Sequence, residues 1–476
     1  MKKKYTVDKN QKLNTNTPIL DALKSAYESP SYQFHIPGHT KGSGVLKEFK
    51  NLIGTKALKI DTTDEFDNLG TLTPPTGAIK EAEELAAQVF GAERTFFLLN
   101  GSTIGNMALA MGITRKGQKV ILNRNCHRSI LSGLIISGAE PVWLIPEKLD
   151  EWGLWGSINP NTIEKLLNET DNVGAVWITN PTYEGVVSDI KTISDICKKY
   201  NVPLIVDEAH GCLWNFNSAL PTPALKLGAD AVVHSLHKTG GSMSQSSMLH
   251  IAKNSMLDIN KIEKSLKLLH TTSPSLILLA SLDAARANLS SEKGQNQIEK
   301  TVKNAKYLRK RIDKMEHIHQ LKMDFGFKTD ITKVFVKVDG LSGKRLESIL
   351  EIDFNIEVES ASDIGALMLV NIGNKRSEIK YLADCLEKIT KTDYSNLFHL
   401  ENKKHMPMLT PKLKYNLREA FYMDKEIVKK ENAICRISAE VIAECPPGIA
   451  ILLPGEEITT EHLPYLTDYE EIEVIK

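Results

Sequence analysis

The sequence predicts an α/β protein built on a mainly parallel sheet, with a smaller α+β region toward the C-terminus. Two observations carry that reading. Short runs rich in β-branched and aromatic residues alternate with helical stretches through the first half of the chain, and past about residue 316 the pattern changes to a few strands set around helices. The length of 476 residues also exceeds what one hydrophobic core usually serves, so two or three domains are expected.

In order, the strand runs are TFFLLN (95–100), KVILN (119–123), PVWLIP (141–146), GAVWITN (174–180), PLIVD (203–207) and AVVHS (231–235). Between them lie the helical stretches GNMALAMGI, SILSGLIISG and DIKTISDICKKY, the arrangement that parallel neighbours joined by crossover helices require. A long helical stretch from about Leu276 to Glu316 leads to KVFVKV (333–338) and ALMLVNI (366–372), with helices near 343–352 and 376–390. The polar segment KTDYSNLFHLENKKHMPML then reaches a last piece, from about Pro411, dense in Pro and Gly around ECPPGIAILLPGE. The expected organisation is an N-terminal segment over 1–60, a large domain over 61–315, a small α+β domain over 316–400 and a C-terminal subdomain over 401–476. No internal repeat or low-complexity tract stands out.

Lys+Arg and Asp+Glu both number 59, so the formal net charge is zero and nothing points to a nucleic-acid partner. The basic N-terminus MKKKYTVDKNQKLN is not followed by an apolar stretch, and the longest apolar runs are strand-length or interrupted. Neither a signal peptide nor a membrane span is expected. The six cysteines (126, 197, 212, 385, 435 and 445) form no CxxC pair, as suits reduced thiols in a cytoplasmic protein, and no metal site is expected. Cys126 and Cys212 fall inside motif segments, where lining is the expected role.

Ligands of such a sheet gather beyond the carboxyl ends of the strands. There VPLIVDEAHG (202–211) closes on Asp207, and AVVHSLHKTGG places Lys238 31 residues later among Ser235, His237, Thr239, Gly240 and Gly241. A strand-terminal acid and a lysine in a turn of donors are what pyridoxal 5′-phosphate (PLP) chemistry needs. The lysine amine forms the imine with the aldehyde, and the carboxylate keeps the pyridine nitrogen protonated so that the ring accepts electrons. Asn100, Gly101, Ser102 and Thr103 follow the first strand and open a helix, a phosphate cradle at a positive helix end. His127, after the second strand, sits where a flat side chain could stack on the pyridine face. Asn180, Pro181, Thr182, Tyr183 and Glu184 close the fourth strand, and no GxGxxG or Walker pattern occurs.

The motifs NGSTIGN, NCHRS, TNPTYEG, VDEAHG, HSLHKT and TTSPS occur in one order, with FHIPGHTKG (34–42) before them and PPGIAILLPGE (446–456) after. The set resembles the PLP-dependent ornithine/lysine/arginine decarboxylase family in its short bacterial form. That resemblance implies the aspartate aminotransferase-like fold (fold type I), with Lys238 as the Schiff-base lysine, Asp207 on the pyridine nitrogen and His127 stacked on the ring. It implies further that Ser102, Thr103, Ser235 and His237 hold the phosphate, with Gly101, Ala209 and His210 completing the pocket. Thr272 or Ser273 would reach the phosphate of a partner subunit in a homodimer or an assembly of dimers. The family motifs begin within the first forty residues, so the N-terminal wing of longer members, and their decameric assembly, are not expected. Where family members often read DEAHGAH, this chain reads DEAHGCLW, and the second histidine's role is lost.

The implied reaction is decarboxylation of a basic amino acid, arginine ahead of lysine or ornithine, feeding polyamine synthesis, with Lys238 or His237 returning the proton to Cα. Candidate acids for the distal cation are Asp61, Asp64, Glu65, Asp67, Glu184 and Glu440. The alternatives are another fold type I enzyme or a non-catalytic PLP-fold binding protein. An aminotransferase would need an arginine such as Arg376 or Arg436 to pin the substrate carboxylate, and a lyase acting at Cβ belongs to the same class.

Overall fold

The structure, a computed structural model, describes residues 14–28, 32–63, 68–322, 328–392, 409, 411–444, 448–466 and 468–476. In chain order it holds helices α1 (Pro18–Glu28) and α2 (Gly77–Phe90), strand β1 (Ala92–Leu98), helix α3 (Gly101–Ile113), strand β2 (Lys119–Asn123) and helix α4 (Arg128–Ser137). Strands β3 (Glu140–Leu144) and β4 (Val173–Thr179), helix α5 (Ile190–Lys199), and strands β5 (Leu204–Asp207), β6 (Ala231–His234) and β7 (Ser247–Ala252) follow. Then come helices α6 (Ile259–Leu269), α7 (Leu276–Ser290) and α8 (Glu292–Ile312), strand β8 (Lys333–Val338), helix α9 (Gly343–Phe354), strand β9 (Ala366–Leu369), helix α10 (Arg376–Thr390) and strand β10 (Ile449–Leu452). The chain divides into two compact units, one of described residues up to Ile113 with Pro203–Ser218 and Thr222–Ile298, the other of Thr114–Val202, Ala219–Pro221 and the described residues from Glu299 on.

In the first unit β5 and β6 pair in parallel, Val206 opposite Val232. Both are buried along their whole length, as LIVD and AVVH predict for strands covered on two faces. The sequence did not show β7. It runs antiparallel to β6, with Met248 opposite His234, and to β1, with Phe97 opposite Met248, so an antiparallel strand joins the parallel β5–β6 pair. Helix α3 lies close against the strands because Gly105 has no side chain: a Cβ there would stand 2.7 Å from Leu98 Cδ1 and 3.3 Å from Val233 Cγ1.

The second unit holds β4, β2 and β3 in parallel register, with Val120 opposite Ala175 and Ile121 opposite Val142. It also holds a small antiparallel sheet in the order Ile318–Gln320, β8, β9, Ser360–Ala361. Val334, Val336, Leu346, Leu350, Ile379 and Leu386 form the core between that sheet and helices α9 and α10. The stretch expected as one long helix from Leu276 is two. Ser291 ends α7, its amide donating to Asn288 O, and its hydroxyl accepts from Gly294 N in the first turn of α8.

Buried charge marks where elements are pinned. On α2, Glu83 Oε1 accepts from Phe97 N of β1 at 2.9 Å, and Arg94 approaches the carboxyl at 3.6 Å. Burial is the largest influence on this acid and pushes its pKa up to about 8. Folding therefore favours the protonated acid. The stabilisation is complete below the ordinary value near 4.5 and is lost as pH rises through 8. Glu83→Gln keeps an acceptor for Phe97 and does not titrate. Denaturant unfolding of the two proteins should diverge between those pH values, wild type losing up to about 5 kcal/mol relative to the variant. Parallel pH profiles would show that Glu83 keeps one protonation state throughout.

Candidate active site

The first unit brings most of the predicted residues to the ends of β5 and β6. Asp207, the last residue of β5, is 3% exposed. Its Oδ2 accepts from Asn106 Nδ2 of α3 at 3.0 Å and its Oδ1 from Ala209 N at 3.2 Å. It does not cap a helix: the next helical turn, Cys212–Phe216, starts after Gly211. Glu208 faces the other way, bonding His234 Nε2 at 2.8 Å and Ala224 N at 2.9 Å, and burial raises its pKa.

Beyond β6, Lys238 sits in the short helical turn Leu236–Thr239. Its Nζ lies 3.0 Å from His210 Nε2, in the turn that follows Asp207. His237 places Nδ1 2.9 Å from the Ser246 carbonyl, so Nδ1 donates and Nε2 remains. Burial, with a smaller push from Lys238 and against the Ser246 bond, holds its pKa below the usual imidazole value. Cys212 is buried with its sulfur 3.0 Å from Thr239 Oγ1, a lining position beside the lysine turn.

The opening of α3 gathers hydroxyls beside the same strand ends. Ser235 Oγ donates to Ser102 Oγ at 3.0 Å, and Thr103 follows in the first turn. Gly101 stands at φ +66, its amide donating to Gln245 O at 2.7 Å, and a Cβ there would meet nothing within 4 Å. Helix α3 has 13 residues, enough to bring amide donors and partial positive charge to that open space. Hydroxyls at a helix start, a lysine amine and a buried carboxylate are the donor set that the phosphate, aldehyde and pyridine nitrogen of PLP call for, so the residues present fit the cofactor.

Thr272 and Ser273 lie exposed in the turn before α7. Neither caps that helix, because the N-cap is Ser275, whose side chain accepts from Leu278 N. His127 belongs to the second unit, where it caps α4: its Nδ1 accepts from Ser129 N at 3.2 Å and lies 2.7 Å from Ser129 Oγ.

Of the acids considered for the distal cation, Asp64, Glu65 and Asp67 lie outside the described residues. Asp61 bonds His39 Nε2 at 3.2 Å, and Glu440 accepts from Glu473 N at 2.9 Å. Glu184 is buried and accepts from Thr182 Oγ1, burial raising its pKa. Sequence reasoning missed Asn106 as a partner of Asp207. It stands four residues after Ser102 on α3, a spacing that puts both on one helix face. Among the described residues no cluster of three His, Cys, Asp or Glu could hold a metal, and no helix is long and apolar enough to cross a membrane.

Two family models match the chain: Orn/Lys/Arg decarboxylase, major domain, over residues 17–336, and Orn/Lys/Arg decarboxylase, C-terminal domain, over residues 399–474. The arginine decarboxylase of Bacillus anthracis is 37% identical over 462 residues, covering 94% of this chain and 92% of the relative. That of Bacillus subtilis (strain 168) is 36% identical over 458 residues, covering 94% and 93%. The solved lysine decarboxylase of Francisella novicida superposes with a TM-score of 0.83 at 20% identity, over 97% of this chain and 82% of that one, a likeness of fold. The chain belongs to the Orn/Lys/Arg decarboxylase family. It has the PLP fold type I architecture and is a PLP-dependent decarboxylase of a basic amino acid.

If Asp207 holds the pyridine proton, Asp207→Asn removes the charge and leaves the shape. Turnover should fall by about a hundredfold or more while PLP remains bound in equilibrium dialysis. A loss below about tenfold would reduce Asp207 to a member of the Asn106–Ala209 hydrogen-bond set.

Proposed function

We propose that the substrate is arginine and that the amine produced feeds polyamine synthesis. The observation that carries the catalytic reading is the cluster of Lys238, His210, Asp207, Ser102 and Ser235 at the ends of β5 and β6 and the start of α3. The arginine assignment is supported by the two Bacillus relatives, which match this chain over nearly its whole length and carry that name.

Bound PLP supplies an aldehyde for the substrate amine and a protonated ring that takes up the electron pair released with CO2. Lys238 would hold the cofactor and, when free as the ammonium, could supply the proton to Cα, with His210 at 3.0 Å to orient it. His237, with Nδ1–H tied to Ser246 O, would have a proton on Nε2 for the phosphate or for Cα only as the imidazolium, Nε2 being an acceptor in the neutral ring. Asp207 keeps the proton on the ring nitrogen, with Asn106 and Ala209 fixing its two oxygens. Ser102, Thr103, Ser235 and the α3 amides after Gly101 would bind the phosphate, and His127, on the family resemblance, would stack on the ring. The substrate carboxylate is best served by uncharged surroundings, because an anion that leaves as neutral CO2 gains from desolvation.

The working form is a homodimer with shared sites. Supporting this, Thr272 and Ser273 are exposed in the single chain, and the stretch around FHIPGHTKG exposes Tyr32, Phe34, Ile36, Leu46 and Leu52, with Phe34 99% accessible. Free thiols at positions 126, 197, 212, 385 and 435 suit a reducing cytoplasm.

A panel assay decides the substrate. CO2 release should show kcat/KM for arginine about tenfold or more above that for lysine or ornithine. A preference for lysine or ornithine would replace arginine. Lys238→Ala should lose both turnover and the visible band that borohydride bleaches, and retention of that band would move the covalent site to another lysine. Sedimentation with activity measured across dilution should show that activity and PLP retention fall together with dissociation, and a fully active, PLP-saturated monomer would end the shared-site reading.

A further inference from the structure

The motif PPGIAILLPGE takes no part in the chemistry above, yet its described part, Gly448–Glu456, lies against the turn that carries His127. Gly448 sits at φ +81, and its carbonyl accepts from Arg128 N at 2.9 Å. Ile449 forms an isolated β-bridge with His127 itself. A Cβ on Gly448 would stand 3.0 Å from both Cδ2 and Nε2 of the imidazole. The ring therefore rests against a position where space and backbone angle both favour glycine. Its other edge is held by Ser129, through Nδ1.

Arg124, the first residue past β2, ties this segment down from beneath. Its guanidinium donates to Ala450 O at 2.9 Å, to Ile451 O at 3.2 Å and to Glu456 Oε2 at 3.2 Å, and lies over the Trp143 ring at 5.0 Å. Glu456 turns back to accept from Leu453 N at 2.9 Å. Arg124 and Glu456 are both buried. Such a pair adds little net stability, because the cost of desolvating two charges offsets most of their attraction. What it does supply is geometry: three directed hydrogen bonds from Arg124 fix β10 and its following turn on the residues just before His127, and the Leu453–Glu456 bond shapes that turn.

We propose that Gly448–Glu456 is a positioning element for the His127 ring, in which Gly448 sets where the imidazole sits and the Arg124–Glu456 pair fixes Gly448. The proposal rests on the assignment of His127 to the cofactor's face. None of Arg124, Gly448 or Glu456 needs to touch substrate for this; they act through the ring.

Gly448→Ala and Glu456→Gln test it with two readouts. In the loaded enzyme, kcat should fall by about tenfold or more with KM changed by less than about threefold, and the visible circular dichroism of bound PLP should change. In the cofactor-free enzyme, the rate of carbethoxylation of His127 by diethyl pyrocarbonate, mapped by mass spectrometry, should change severalfold as the ring is displaced. Glu456→Asp, which keeps the charge, should recover part of both effects. Unchanged His127 reactivity and unchanged dichroism in a folded Gly448→Ala would overturn the proposal. Should that variant not fold, the near-isosteric Glu456→Gln decides alone on the same criteria. His127→Ala separates the two readings. If it leaves turnover and dichroism intact, the cofactor assignment of His127 fails, while the carbethoxylation rates still decide whether the segment positions the ring.

Discussion

The register between β5 and β6 is the constraint on which the site depends. Asp207 lies opposite Val233, Glu208 N donates to Val233 O, and Ser235 N donates to Ala209 O, so the two strand ends are stitched for two residues past the ladder. Because side chains alternate, Asp207 turns toward Asn106 and Glu208 toward His234. A slip of one residue would exchange those faces, turning the Asp207 carboxylate away from Asn106. The Glu208–His234 contact, buried on both sides, makes such a slip costly, since it would strand an unpaired charge or proton in the interior.

The same device recurs where elements must be held to tolerances finer than hydrophobic packing sets. Glu83 caps an amide of β1 from α2, Asp283 pairs with Arg286 and accepts from Ile19 N at the start of α1, and Arg124 with Glu456 fixes β10. In each case a buried carboxylate bonds a backbone amide, and in two of them a fully buried arginine also reaches backbone carbonyls. Apolar contacts can slide by an ångström at little cost, whereas these bonds cannot. Their positional value exceeds their net energy, which desolvation largely cancels.

Much of the framework was legible because the strands that matter are short, apolar and bounded by polar turns. LIVD ends on Asp207, AVVH ends one residue before Ser235, and the hydroxyl run after β1 announces a helix start. The strand β7 was hidden because it follows a Ser- and Gly-rich turn and reads SMLHIA, too mixed for a clear period of two. Ser291 breaks the long helix by a local hydrogen bond that leaves no Pro or Gly at the break itself. The roles of Asn106, His234 and Glu456 depend on which side chains meet across elements distant in sequence, and no local pattern encodes that.

The chemistry that separates decarboxylation from transamination on one cofactor is how the substrate carboxylate is held. Transamination needs an arginine free to pin it in the plane of the ring. Neither arginine considered for that part is free in this way. Arg376 stacks its guanidinium 3.5 Å from the centroid of Tyr307 and donates to Asn304 Oδ1 at 3.2 Å, while Arg436 pairs with Glu426 at 2.6 Å and donates to Ile475 O at 2.8 Å. Recruiting either would break a stacked or charge-assisted contact within its own unit before any gain from the substrate was realised. With those two committed elsewhere, neither is placed to serve as the carboxylate-pinning arginine that transamination needs.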